Sequence, residues 1–295
     1  RMQYHVLGSS GLKVSDVCLG TMTWGIQNTQ SDADAQLALA LERGVNVIDT
    51  AEMYPVPPNS DTYGDTERIL GNWLSRHSDK RSELVVMTKI VGSGFTYIRN
   101  GGPITRTGIA TALDASLARL KTDYIDVYQL HWPNRSTPHF GKHWPNRLTP
   151  SCINREQEVE GMRDILRGIK AALDAGKIRH WGLSDDTPWG IHTFLMLCHE
   201  MSVPKPVSIQ NEFSLLHQKD WPYLIEMCAI EDIAYLPWSP LATGMLSGKY
   251  QNEARPAGSR WTLPQRQGLF RNKPQAQEAT ARYVKLAQDV GITPA

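Results

Sequence analysis

The sequence predicts an α/β protein built as a (β/α)8 barrel, opened by an N-terminal β-hairpin and running as one domain over residues 1–295. Three observations carry that reading. Short β-branched runs alternate with helical stretches, which implies parallel strands joined by right-handed crossovers. Seven strand-like segments follow one another with no break in composition, and such a series suits a barrel better than a doubly wound sheet. The turn after the first parallel strand, LGTMTWGIQ, lacks the G-x-G-x-x-G of a doubly wound nucleotide-binding fold, and GSGFTY at 92–97 supplies only its first two glycines.

The elements follow in order. QYHVLG and LKVS form the hairpin, and DVCLG is the first strand of the barrel. A helix from about Asp32 to Arg43 places Leu37 and Leu41 on one face and stops at Gly44, before the strand VNVIDTA. A helix over Thr66 to His77 leads to ELVVMTKI, and one over Thr107 to Leu120 leads to YIDVYQLH. Glu156 to Ala175 is helical, ends at Gly176 and gives way to KIRHWGLS. Helices near Trp189–Met201 and Trp221–Ala229 precede PVSIQNEF and IAYLPWSP. A long loop to Lys273 and a helix over Gln275 to Val290 complete the chain, with no eighth strand or C-terminal tail. Seven strands would leave two open sheet edges, which proteins avoid, so the native chain is expected to continue past Ala295.

The bulk chemistry excludes several classes. Lys+Arg and Asp+Glu number 31 and 30, leaving a formal +1 and no basic stripe for nucleic acid. No apolar run approaches the ~20 residues that span a bilayer, and RMQYHVLG lacks the apolar core of a signal peptide. Cys18, Cys152, Cys198 and Cys228 stand far apart, as reduced buried thiols of a cytoplasmic protein do.

In a barrel, chemistry sits at the C-terminal ends of the strands. Asp49, Lys89 and His131 each interrupt or close an apolar strand, and Tyr54 follows Asp49 in the adjoining loop. A buried lysine is costly without a partner, and Asp49 is the obvious one. The ammonium would favour the phenolate of Tyr54, lowering a pKa that is ordinarily ~10 and making the phenol a better acid. With a histidine on the same oxygen, these groups could protonate or polarise a carbonyl. Trp24, Tyr54 and Trp132 suggest an aromatic-lined mouth for an apolar carbonyl substrate. The pentapeptide HWPNR occurs twice, at 131 and at 143. His131 ends a strand, whereas His143 lies in a long loop and is expected to shape the pocket at most.

GTMTWG, VIDTAEMYP, MTKI, QLHWP, AGKIRHWGLSD, IQNEFSLL and PWSPLATGMLSGKY, in this order, resemble the aldo-keto reductases, most closely the Tas-type reductases and the potassium-channel β-subunit branch. The resemblance implies a TIM barrel that binds NADP(H) and reduces aldehydes or ketones with the tetrad Asp49, Tyr54, Lys89 and His131. It implies a nicotinamide held by Ser184, Asp185 and Gln210 and stacked on Trp238. Gly20, Thr21, Met22 and Asp49 would also meet the cofactor. Ser239, Pro240, Leu241, Thr243, Gly244, Ser247 and Lys249 would cross its pyrophosphate, with Arg260 beyond. One departure stands out: the family usually has Asn where GLSD has Asp185, and a carboxylate can accept from the carboxamide but cannot donate to it.

Two other readings compete. A non-catalytic NADPH-binding subunit, like the channel β-subunits, usually lacks the tetrad histidine, whereas His131 is present. A metal-dependent barrel hydrolase would use His131, His139 and His143, but no H-x-H or paired Asp completes a ligand set, so no metal is expected.

Overall fold

A computed structural model describes residues 2–140, 154–263 and 271–295. Contacts group the chain into two compact units, Arg1–Ile209 with Cys228–Ala234, and Gln210–Met227 with Tyr235–Ala295.

The hairpin pairs β1 (Tyr4–Val6) with β2 (Lys13–Ser15) antiparallel. A sheet of seven strands then runs in strict chain order: β3 (Cys18–Gly20), β4 (Val47–Asp49), β5 (Val85–Ile90), β6 (Ile125–Leu130), β7 (Ile178–Ser184), β8 (Ser208–Glu212) and β9 (Ala234–Trp238). From β3 to β7 each neighbouring pair is parallel, as the alternation with helices demanded. All six residues of β5 and all six of β6 are buried, the pattern of a parallel strand covered on both faces. This is the expected barrel-type α/β architecture with its N-terminal hairpin, and no eighth parallel strand lies among the described residues.

The helices are α1 (Gln30–Glu42), α2 (Asp65–Arg76), α3 (Arg106–Leu120), α4 (Arg155–Asp174), α5 (Pro188–Met201), α6 (Tyr223–Ile230) and α7 (Pro274–Asp289). Most begin one or two residues earlier than apolar periodicity indicates, because capping side chains and not greasy positions set their starts. Thr29 and Asp32 form a reciprocal capping box on α1, and Thr105, Asn154 and Thr187 accept from the first turns of α3, α4 and α5. Gly44, at φ +85°, ends α1 by donating to Leu41 while Val45 donates to Ala40, so the last carbonyls are satisfied.

In the first unit, α2 and α3 cross closely at Gly71. A Cβ there would stand 2.0 Å from the carbonyl oxygen of Arg119. That closeness lets Arg119 reach back to the fully buried carboxylate of Glu67 on α2, at 2.6 Å. In the second unit, Tyr250 and Trp261 stack with centroids 4.1 Å apart, and with Ala242, Met245 and Leu246 they form its core. None of the described helices is long and apolar enough to cross a membrane. The cysteines depart from expectation: Cys198 and Cys228 are buried, but Cys18 is exposed, on the strand that begins the sheet order and has a single neighbour in it. Cys152 lies outside the described residues.

Candidate active site

Three consecutive strands build the site. β4 ends at Asp49, β5 carries Lys89 as its next-to-last residue, and β6 runs directly into His131. The parallel register sets Lys89 opposite Gln129, and the backbone N–H of His131 donates to the carbonyl of Ile90. Tyr54 follows in the loop after β4, where its N–H donates to Ala51 and its carbonyl accepts from Gly64.

Lys89 is 1% exposed. Its ammonium donates to Asp49 Oδ2 at 2.5 Å and to the carbonyl of Thr50 at 2.9 Å, and it lies 5.1 Å from the centroid of the Tyr54 ring. Burial works against that charge, but the Asp49 carboxylate and the neighbouring phenol outweigh it, so the lysine pKa is held above its ordinary value. The second oxygen of Asp49 accepts from the side-chain amide of Gln129 at 2.9 Å. Both carboxylate oxygens are therefore engaged, and the charge cannot turn away from the lysine.

Tyr54 shows two opposed effects. Burial, the larger, raises its pKa, while the nearby Lys89 ammonium pulls it down and Asp49 pushes it up again; the net direction is upward. The expected lowering by Lys89 is thus present as a component but does not dominate. The phenol is protonated at neutral pH, the form that can donate.

His131 packs edge-on against Tyr54, ring centroids 5.7 Å apart. Burial, helped by the Lys89 charge, holds its pKa well below the ordinary value, so the imidazole is neutral at physiological pH. Its Nδ1 is buried with no hydrogen-bond partner among the described residues. This depression has a sign that can be measured. Below the unfolded pKa of about 6.5 the unfolded chain takes up a proton that the folded imidazole refuses. Stability should therefore be intact above about pH 6.5 and fall as pH drops toward the folded pKa, by at most ~1.4 kcal/mol per pH unit from this one group. Urea unfolding at about pH 7.5 and about pH 5.5 should show a smaller loss in His131→Gln than in the unsubstituted chain. Equal losses would contradict the assignment.

Other expected residues of the first unit also have places. Gly20 ends β3 and Thr21 follows it, and the Thr21 hydroxyl donates to the carbonyl of Asp49 at 2.8 Å; Met22 is half-buried and its carbonyl accepts from Val56. Ser184 ends β7 buried, and Asp185 follows at φ +50°, also buried. Trp24, expected at the mouth, is fully buried, with its indole N–H given to Gln36 and its carbonyl accepting from Thr66, so its observed role is packing. Trp132 is half-buried, and its indole N–H donates to the carbonyl of Ser93. His143 and the second HWPNR copy lie outside the described residues. His139, between the copies, is buried, with its Nδ1 3.5 Å from an Asp185 carboxylate oxygen and its Nε2 3.2 Å from the carbonyl of Asp186. No group of three potential metal ligands occurs among the described residues.

The second unit holds the remaining expected residues. Gln210 lies in β8 and Trp238 ends β9, with the Arg271 guanidinium 5.9 Å over the Trp238 ring and paired to Glu212. In the segment from Ser239 to Lys249, Ser239, Ala242, Thr243, Gly244 and Gly248 all have positive φ. Backbone that turns left-handed in this way gathers N–H groups into concavities suited to anions. The exposed Lys249 belongs to the same turn and lies close to Gly244, whose added Cβ would stand 2.9 Å from the lysine Cε. Pro240 and Leu241 are exposed, Ser247 donates to the carbonyl of Gly244, and Arg260 is half-buried. A cation beside a left-handed turn fits a dinucleotide phosphate, so these residues suit the cofactor that the resemblance implies.

Gln129, Glu52 and Arg99 were not picked out from the sequence. Gln129 carries the signal that marked Lys89, a polar residue inside an apolar strand. Glu52 and Arg99 pair across 47 positions of chain, and no local pattern marks either one.

A model described as the aldo/keto reductase family matches residues 16–295. The chain is 42% identical to the protein tas of Escherichia coli (strain K12) over 297 aligned positions, covering all of this chain and 84% of that protein, and the match to the protein tas of Shigella flexneri has the same figures. An aldo-keto reductase of Babesia bovis is 37% identical over 185 positions, 60% of this chain and 65% of that protein.

Proposed function

The chain belongs to the aldo/keto reductase family of oxidoreductases, and on that premise we propose that it reduces aldehydes or ketones to alcohols with NADPH, residues 1–295 working as a single barrel domain. The observation that carries the reading is the buried Lys89, fixed by Asp49 and 5.1 Å from the ring centroid of a protonated Tyr54, beside a neutral His131.

When bound, NADPH supplies the hydride. Tyr54 donates its phenolic proton to the carbonyl oxygen as negative charge develops there. Lys89 stabilises the phenolate left behind, and Asp49, gripped by Gln129, keeps the ammonium in place. The neutral imidazole of His131 orients the carbonyl oxygen by a hydrogen bond, which requires no protonated histidine at neutral pH. In the first unit, Ser184 and Asp185 would hold the carboxamide end of a bound nicotinamide, with Gly20, Thr21 and Met22 beside them. In the second unit, Gln210, Trp238, the turn from Ser239 to Lys249 and Arg260 are the residues that would take part in holding the dinucleotide, the turn at its phosphates.

The purified protein should consume NADPH in the presence of para-nitrobenzaldehyde, followed by loss of the near-ultraviolet nicotinamide absorbance. Absence of turnover across a panel of aromatic and aliphatic carbonyls, with NADPH shown to be bound, would sink the reading.

A further inference from the structure

Tyr54 is the first of a chain of six rings in mutual contact. His131 lies 5.7 Å from it, Trp132 5.0 Å from His131, Phe95 6.1 Å from Trp132, Tyr97 5.6 Å from Phe95, and Tyr63 6.1 Å from Tyr97. Phe95 and Tyr97 sit on the loop after β5, and both keep part of their surface open to solvent. They pack with Val56 and Trp132 over a small core of Ala51, Met53, Val91 and Ile98.

Nothing in the composition of that loop, GSGFTYIRNGG, would hold it still. Glycine is permissive, and Arg99 and Asn100 occupy the left-handed region at φ 45° and 56°, a conformation that persists only when surroundings over-determine it. The surroundings here are specific. Arg99 makes a two-pronged ion pair with Glu52, Nη2 to Oε1 at 2.6 Å and Nη1 to Oε2 at 2.9 Å. The same guanidinium donates to the carbonyl of Val91 at 3.0 Å, and Glu52 Oε1 accepts the Val91 N–H at 2.7 Å. Glu52 is 1% exposed and lies two residues before Tyr54, with its own N–H on the carbonyl of Lys89. One buried carboxylate thus ties the base of the ring-bearing loop to the segment between Asp49 and Tyr54. From the other side, Trp132 holds the loop at Ser93.

We propose that Glu52 and Arg99 are positioning residues for the carbonyl site. Their ion pair fixes the 91–101 loop so that Phe95 and Tyr97 extend the aromatic wall from Trp132, and that wall favours ring-bearing carbonyls over short aliphatic ones. The inference rests on the carbonyl-reductase reading of the tetrad. It is separable from it, because neither residue touches the proton that Tyr54 transfers. A planar bidentate pair suits this task, since it fixes direction as well as distance, which an ammonium would not.

The test compares Arg99→Met, the double variant Glu52→Gln/Arg99→Met, Arg99→Lys and Phe95→Ala with the unsubstituted protein. The double variant removes both charges and so avoids an unpaired buried carboxylate that could itself unfold the protein. In both variants lacking the pair, KM for para-nitrobenzaldehyde should rise about tenfold while kcat and the KM for propanal stay within about twofold, the mark of lost binding and not lost chemistry. Amide hydrogen exchange over residues 92–101 should speed up in the same two variants, Arg99→Lys should recover part of both effects, and Phe95→Ala should reproduce the KM change without the exchange change. Equal falls in kcat for both aldehydes, or an unchanged ratio of their KM values, would overturn the proposal. If the unsubstituted protein reduces neither aldehyde, the function reading fails and equilibrium dialysis of para-nitrobenzaldehyde decides the pair. About tenfold weaker binding in the double variant supports it, and equal binding refutes it.

Discussion

Tyr54→Phe should cut carbonyl reduction by about a hundredfold to ten-thousandfold, the range over which a positioned proton donor acts. The affinity for NADPH should stay within about threefold, since the substitution removes one hydroxyl and no cofactor contact. Stability should change little. Lys89 keeps Asp49 and Thr50 as partners when the phenol is gone, so no buried charge is stranded. Turnover measured under saturating NADPH, with affinity from fluorescence titration, separates the two effects. Retained turnover would remove Tyr54 from the role of acid. The direction of its pKa adds a second check. Burial holds the phenol protonated and Lys89 opposes that, so the rate of reduction should be flat through neutral pH and fall only in the alkaline range, where Tyr54 ionises.

The other large effect concerns the buried ion pair. Asp49→Asn leaves an ammonium at 1% exposure without its counter-charge, and Lys89→Met leaves a buried carboxylate without the ammonium that neutralises it. Breaking one side of a buried pair costs about 3–5 kcal/mol, because the remaining charge is stranded. Each single substitution should therefore lower the urea midpoint markedly. The double substitution Asp49→Asn/Lys89→Met should regain most of the loss, since replacing both charges by neutral groups of similar volume is close to neutral. Activity should not return in the double variant, because the phenolate at Tyr54 then has no cation to stabilise it. Single variants within about 1 kcal/mol of the unsubstituted protein would show that the pair is solvated and not structural.

The two experiments separate what the pair does for folding from what it does for chemistry. A buried salt bridge is weak evidence for stability in itself. Its retention at a strand end, beside a buried phenol and a neutral histidine, makes sense as a constraint on the position of one ammonium. The restoration expected in the double variant, without activity, would express that division directly.

Much of this was legible in the residues alone. Strand–helix alternation is written in local periodicity, and it led to the parallel order β3 to β9. Asp49, Lys89 and His131 stood out because charged and polar groups are rare at buried strand positions, and a rule based on the cost of burial detects them without knowing the fold. What failed to show was pairing at a distance. Gln129 on Asp49 spans 80 positions and Arg99 on Glu52 spans 47, and the sequence carries no periodicity over such lengths. Trp24 and Trp132 look alike as aromatic residues near strand ends, yet one is sealed under Gln36 and Thr66 and the other remains half-open beside His131.

The sequence by itself determined the architecture, through hydrophobic periodicity, and the identity of the groups that titrate at the strand ends, through residue type. Only the tertiary structure decided their states. Whether Tyr54 is pushed up by burial or pulled down by Lys89, and whether His131 is charged, depends on solvent exclusion and on charges brought within a few ångströms by strands far apart in the chain. Those are properties of three-dimensional proximity, and proximity is what folding adds to a list of residues.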